Sequence, residues 1–150
     1  MSLENLIFVI VLATTMVNLG VQLYIHYEAY PLFNNVGRGE FRTYLAEYER
    51  RLVMPLIVPY LITIAANIAL LFLRPDGVSL IGVIVVLILN LAVSTTTQVL
   101  AAPVYNRIRQ GDTAASAEMS RLMNINLLRL ALSALASLVV LGLLVDLLGN

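Results

Sequence analysis

Four long apolar runs, near residues 3–27, 52–73, 78–102 and 125–148, alternate with short polar connections along this chain. About 20 apolar residues suffice for one helical crossing of a bilayer. The pattern therefore predicts an all-α fold: an integral membrane four-helix bundle that fills nearly all of residues 1–150 as one domain. Three of the runs carry polar stripes. Asn18, Gln22 and His26 recur every four residues in the first. Asn90, Ser94, Thr97 and Gln98 share a face of the third, and Asn126, Arg129, Ser133 and Ser137 share a face of the fourth. Polar groups in hydrocarbon are costly unless paired, so the stripes should face one another around a polar chamber.

The connections also carry pattern. Across residues 40–52, Phe41, Tyr44, Leu45, Tyr48 and Leu52 form one stripe, with Arg42, Glu49 and Arg50 on the other face. This predicts an amphipathic helix leading into the second span. Pro55 and Pro59 follow, and each removes a backbone donor, so a kink is expected there. Gly111-Asp112-Thr113 reads as a helix stop followed by an N-cap. Residues 114–124 should run on into the fourth span, making the last two spans a long hairpin. The residues ahead of the first run lack the positive charge and cleavage site of a signal peptide, so that run is expected to be retained. No internal repeat or low-complexity tract is present.

Charge then orients the bundle. Arg38, Arg42, Arg50 and Arg51 lie in the first connection and Arg107, Arg109 and Arg121 in the third, against Arg74 alone in the second. The positive-inside rule predicts connections one and three in the cytoplasm and both termini outside, in a bacterial inner membrane. The hydrophobic share is 60%, above the ~45–50% of soluble domains. Net charge is zero, which gives a nucleic-acid partner no support. Cysteine is absent, excluding disulfides, thiolate metal sites and a cysteine nucleophile. All nine basic residues are arginine, so Schiff-base chemistry is excluded too.

Most polar residues in the spans have a structural explanation. Ser and Thr bond their own i−4 carbonyls, and Asn18, Asn67 and Asn90 can join helices. His26, Gln98, Asn126 and Arg129 stand apart, because all lie within about one and a half turns of the arginine-rich boundary. Arg129 either snorkels to headgroups or faces inward and needs an acceptor: Glu28, a tyrosine hydroxyl or a ligand. His26 is the sole histidine, the residue type that most often serves as a general base. Tyr24, Tyr27, Tyr30, Tyr44 and Tyr48 form either an interfacial belt or a pocket entrance for a flat, quinone-like ligand. The candidate catalytic residues are His26 and Arg129. The candidate ligand-binding residues are Gln22, Tyr27, Tyr30, Tyr48, Arg51, Gln98, Asn106 and Asn126. No metal-ligand spacing, P-loop, GxSxG or GxGxxG motif is present, and no cofactor is expected.

The order of these pieces resembles a family of small four-helix bacterial membrane proteins grouped with the anthrone oxygenases of polyketide pathways. The matching elements are His26-Tyr27-Glu28-Ala29-Tyr30-Pro31, Arg50-Arg51 ahead of Pro55, Pro103-Val104-Tyr105-Asn106, and Asn126-Leu127-Leu128-Arg129. Relatives often carry a histidine in the first cytoplasmic helix and a tryptophan near the fourth span. Here Tyr44 or Tyr48 and Met123 or Asn124 stand thereabouts. The resemblance implies a fold more firmly than a reaction.

Three readings follow. In the first, the chain is a non-enzymatic membrane module: an accessory subunit of a larger complex, a homo-oligomer, or a carrier or sensor of membrane lipid or quinone. In the second, it is an anthrone-oxygenase-like enzyme needing no cofactor. His26 would deprotonate a phenolic substrate, and Arg129 with Asn126 and Gln98 would stabilise the anion that meets dioxygen. In the third, His26 binds haem or a metal at a symmetric dimer interface, since one histidine cannot supply two ligands in a monomer. The first is the preferred expectation.

Overall fold

The structure, a computed structural model, describes residues 1–37, 39–110 and 116–149. Arg38 and the stop-and-cap segment Gly111-Asp112-Thr113 lie outside them. Four long helices make up the described residues: α1 Leu3–Asn35, α2 Phe41–Phe72, α3 Leu80–Gln110 and α4 Ala117–Gly149. All are long and apolar enough to cross a membrane, and the chain is a multi-pass membrane protein with an all-α four-helix bundle. α1 packs on α2 and α4, α4 packs on α3, and α2 meets α3 more loosely. The helices outrun the apolar runs because the amphipathic connections continue them at the arginine-rich end.

Local chemistry sets the boundaries. The Ser2 hydroxyl accepts from the Asn5 N–H (3.3 Å) and caps α1. Ser79 does the same for Gly82 N–H (3.4 Å) on α3. Between α2 and α3, the Val78 N–H donates to the Pro75 carbonyl (3.2 Å). Gly77 there has φ 87°, a left-handed conformation that glycine adopts without steric cost.

Three helices widen into a π turn at one level: Ile25–Ala29 in α1, Val53–Ile57 in α2 and Thr97–Ala101 in α3. Pro31, Pro59 and Pro103 each follow such a turn by two residues. A helical proline loses its bond to the i−4 carbonyl and its ring collides with that group. The i−4 residues are Tyr27, Pro55 and Val99, the middle residue of each π turn. The wider turn moves the obstructed carbonyl aside. α4 has no proline and no such turn. The kink expected from Pro55 and Pro59 is thus one of three.

Two apolar cores are separated by a polar layer. Near the Arg74 end, Phe8, Val11, Leu70, Val83, Val86, Val140 and Leu143 interlock. At the arginine-rich end, Ile25, Tyr30, Phe33, Phe41, Leu45, Val104, Ile108 and Leu122 form the second core. Here the amphipathic start of α2 buries Phe41 and Leu45 and sets Tyr44 and Tyr48 edge-on to Phe33, at 5.7 and 4.9 Å between ring centroids. This stripe follows the predicted pattern.

Candidate functional site

The layer between the cores holds Asn18, Gln22, Thr63, Asn67, Asn90, Asn126, Arg129, Ser133 and Ser137, all buried. Part of it satisfies itself. Thr63, Thr96 and Thr97 donate to the i−4 carbonyls of Pro59, Ala92 and Val93 at 2.8–2.9 Å. The Asn90 amide does likewise to Val86 (3.1 Å). Other groups join helices. Asn18 Nδ2 donates to Thr63 Oγ1 (2.9 Å), linking α1 to α2. Tyr60 Oη donates to the Asn90 carbonyl (3.3 Å), linking α2 to α3. Asn126 Nδ2 donates to the Gln22 carbonyl (3.3 Å), where α1 opens into its π turn.

The remaining groups find no partner in the protein. Asn18 Oδ1, Gln22 Oε1, Asn126 Oδ1, Arg129 Nε and both amide atoms of Asn67 are buried without a hydrogen bond. Buried polar atoms are rarely left unmade, because each forfeits its hydration for nothing. Several of these residues border one space. A cavity of about 260 Å³ is lined by Asn18, Gln22, Tyr60, Asn90, Ser94, Thr97, Gln98, Arg129 and Ser133, with Leu56, Ile57 and Leu61 on the α2 side. Leu61 and Ile57 are also exposed on the outer surface. The chamber therefore opens sideways, between α2 and α3, toward the lipid.

Arg129 is the centre of this site. It is 3% exposed and faces the bundle interior, so it does not snorkel. Among the described residues its guanidinium makes no ion pair; the carboxylates of Glu47, Glu49 and Glu118 are taken by Arg50 and Arg51, by Arg109 and by Arg107. Its guanidinium instead neighbours the hydroxyls of Tyr30, Tyr48 and Tyr105, and Tyr30 is the one placed for a side-chain hydrogen bond with it. Tyr105 Oη donates to Tyr30 Oη at 2.9 Å. These phenols belong to a second cavity of about 190 Å³, bordered by Ile25, Tyr30, Glu49, Leu52, Tyr105 and Arg129. Arg129, Thr97, Leu56 and Ile57 border both spaces.

The structure brings together only some of the residues chosen from sequence. Gln22, Gln98 and Arg129 line the chamber, and Asn126 holds its wall. Tyr30 lies at the second cavity. Tyr48 and Arg51 border a separate surface groove with Tyr24, Tyr44 and Glu47, and Arg51 is paired with Glu47 (2.6 Å). Tyr27 and Asn106 are exposed and line neither cavity. His26 is half-buried, packs edge-on against Tyr27 (4.9 Å) and leaves Nδ1 without a partner, but it does not border the chamber. The reason is rotational. At 3.6 residues per turn, steps of four drift by roughly 40° each, so Asn18 and Gln22 stay inside while His26 turns to the edge. Gln98 drifts similarly from Asn90 and ends at the lateral opening.

Tyr60, Tyr105 and Glu49 were missed. A signal existed for the first: Tyr60, Thr63 and Asn67 form a polar stripe in the second span at the same i, i+3, i+7 spacing. Tyr105 stands next to Asn106, and of the two Tyr105 borders the second cavity while Asn106 is exposed. Glu49 looks like a solvated charge until Arg109 pairs with it across 60 residues of sequence.

Among the described residues, no three His, Cys, Asp or Glu side chains are grouped to hold a metal. No family model, curated protein or solved structure matches the chain.

Proposed function

We propose that this protein binds an amphipathic, oxygen-bearing molecule taken laterally from the bilayer, with the polar head against Arg129. One observation carries this reading: a buried guanidinium without an anionic partner borders a cavity that opens toward lipid. An arginine at a helix centre costs ~2.5–3.5 kcal/mol on insertion scales, and intramembrane charges mark ligand sites by default. The surrounding amides supply both donors and acceptors, which fits a head carrying hydroxyl as well as carbonyl or oxyanion groups. Quinols, phenols of the anthrone type and acidic lipids share that chemistry. The two cavities together reach the ~300–1,000 Å³ of small-molecule sites.

The site supports binding better than base catalysis. His26, the candidate base, lies off the chamber wall. An accessory or carrier role therefore accounts for the geometry more economically than cofactor-free oxygenation. The arginine distribution supports an inner-membrane setting, with the arginine-rich end in the cytoplasm and both termini outside.

Native mass spectrometry of protein extracted in mild detergent tests the reading. A stoichiometric lipophilic molecule should accompany the wild type and be lost from Arg129→Met. A bare wild-type protein, or retention of the molecule by the variant, overturns it.

A further inference from the structure

The second cavity gives Arg129 another neighbourhood. Its walls come from all four helices; it shares Leu56, Ile57, Thr97 and Arg129 with the chamber, and its other residues, Ile25, Tyr30, Glu49, Leu52, Val53 and Tyr105, sit toward the arginine-rich end. At its rim, Glu49 of α2 accepts from Arg109 of α3 at 2.7 and 2.8 Å. Arg42 Nη2 adds a tie to the Gln110 carbonyl (3.2 Å). α2 and α3 are therefore fastened at this end by polar contacts that water can reach, while their middle is open to lipid. Glu49 and Arg109 neutralise each other, leaving Arg129 as the net charge at the inner end. Tyr30 and Tyr105 set their hydroxyls nearby. A space of about 190 Å³ admits a few small-molecule atoms, since each water of the liquid occupies ~30 Å³.

We propose that this second cavity is an aqueous vestibule in which Arg129 binds a small, singly charged oxyanion such as a carboxylate, bicarbonate or nitrate. Arg129 is then addressed from two phases: from lipid by the head of the chamber ligand and from water by the anion. The planar guanidinium suits a planar oxyanion, which can accept two parallel N–H bonds. Phenol hydroxyls can donate to its remaining lone pairs. The Glu49–Arg109 pair spans the rim and restricts access.

The absence of cysteine makes the test direct, because one introduced thiol is the sole reactive site. Leu52→Cys places it on the wall between the vestibule and the surface groove of Tyr48 and Arg51, so the Arg129 arm identifies the vestibule as the source of any charge preference; Leu61→Cys places it at the lipid opening. In reconstituted protein, Leu52→Cys should react with a negatively charged, membrane-impermeant methanethiosulfonate at least about tenfold faster than with its positively charged counterpart, the scale of electrostatic focusing in a charged cleft. Excess nitrate at constant ionic strength should slow that reaction. Leu61→Cys should react with neither reagent. Adding Glu49→Gln should speed labelling of Leu52→Cys, and adding Arg129→Gln should abolish the preference for the anionic reagent. Equal rates for both reagents, silence toward both, or no protection by nitrate overturns the proposal. The nitrate arm needs only the Leu52→Cys protein, so misfolding of an Arg129 variant does not shield the idea. Retention of a lipophilic molecule by the Glu49→Gln protein is read separately by mass spectrometry, so the vestibule and the chamber fail independently.

Discussion

At the Arg74 end, Phe8, Val11, Val86, Val140 and Leu143 fill the space between the helices with carbon alone. About one to four turns along the same helices, Asn18, Gln22, Asn90 and Arg129 surround a cavity. The first region is stabilised by close packing, which is what holds helices together once lipid has removed the hydrophobic drive. Gly82 belongs to this dense end: a Cβ there would meet Leu143 Cδ2 at 2.5 Å. The second region forfeits packing and leaves polar atoms unpartnered. A layer that weakens the ligand-free bundle makes sense if something else completes it, whereas the apolar core needs nothing further.

That contrast can be broken from either side. The largest effect is expected from Phe8→Ala, which should lose about 3–5 kcal/mol by opening a hole in the dense core, seen as a lowered midpoint in detergent denaturation. Retention of a lipophilic molecule should be unchanged in whatever fraction stays folded. Arg129→Met should act oppositely. Removing an unpaired buried cation should raise the stability of ligand-free protein by about 1–3 kcal/mol, while the molecule carried by the wild type is lost. A fall in stability would mean that the guanidinium is satisfied inside the protein.

Smaller changes sharpen the boundary between the two regions. Asn67 is 0% exposed and both of its amide atoms lack partners. Asn67→Leu should therefore be neutral or gain up to about 1 kcal/mol, since no bond is broken and an unmet group disappears. Asn18 makes a real interhelical bond with Thr63. Asn18→Leu and Thr63→Val, combined in a double-mutant cycle, should show coupling near 0.6 kcal/mol, roughly the average for such bonds in a membrane bundle. Coupling near zero would remove that link between α1 and α2.

The four spans, the amphipathic start of α2 and the polar layer were all legible in the residues. The stripe of α4 was read most accurately: Asn126, Arg129, Ser133 and Ser137 follow steps of three, four and four, which average close to the helical period, and all four are buried. The stripe read in steps of four along α1 went astray at its end, at His26, while Gln98 ends at the chamber's lateral opening. The prolines were read only in part. Pro55 and Pro59 announced a kink, but the π turns ahead of Pro31 and Pro103 arise from the same clash with an i−4 carbonyl. The aromatic residues were hardest, since exposed Tyr27 and buried Tyr30 are both interfacial tyrosines by composition.

Composition and periodicity by themselves determined that this chain is a four-helix membrane protein with polar residues facing inward. Length and hydropathy decide insertion one segment at a time, and helical period decides which face of a segment is polar. Whether Arg129 reached headgroups or the interior, whether Asn18 or Asn67 found a partner, and where Glu49 would meet Arg109 depend on how the helices stand against one another. Those outcomes were decided only in the tertiary structure, because a hydrogen bond or an ion pair is a relation between two helices, and no single helix carries the distance between them.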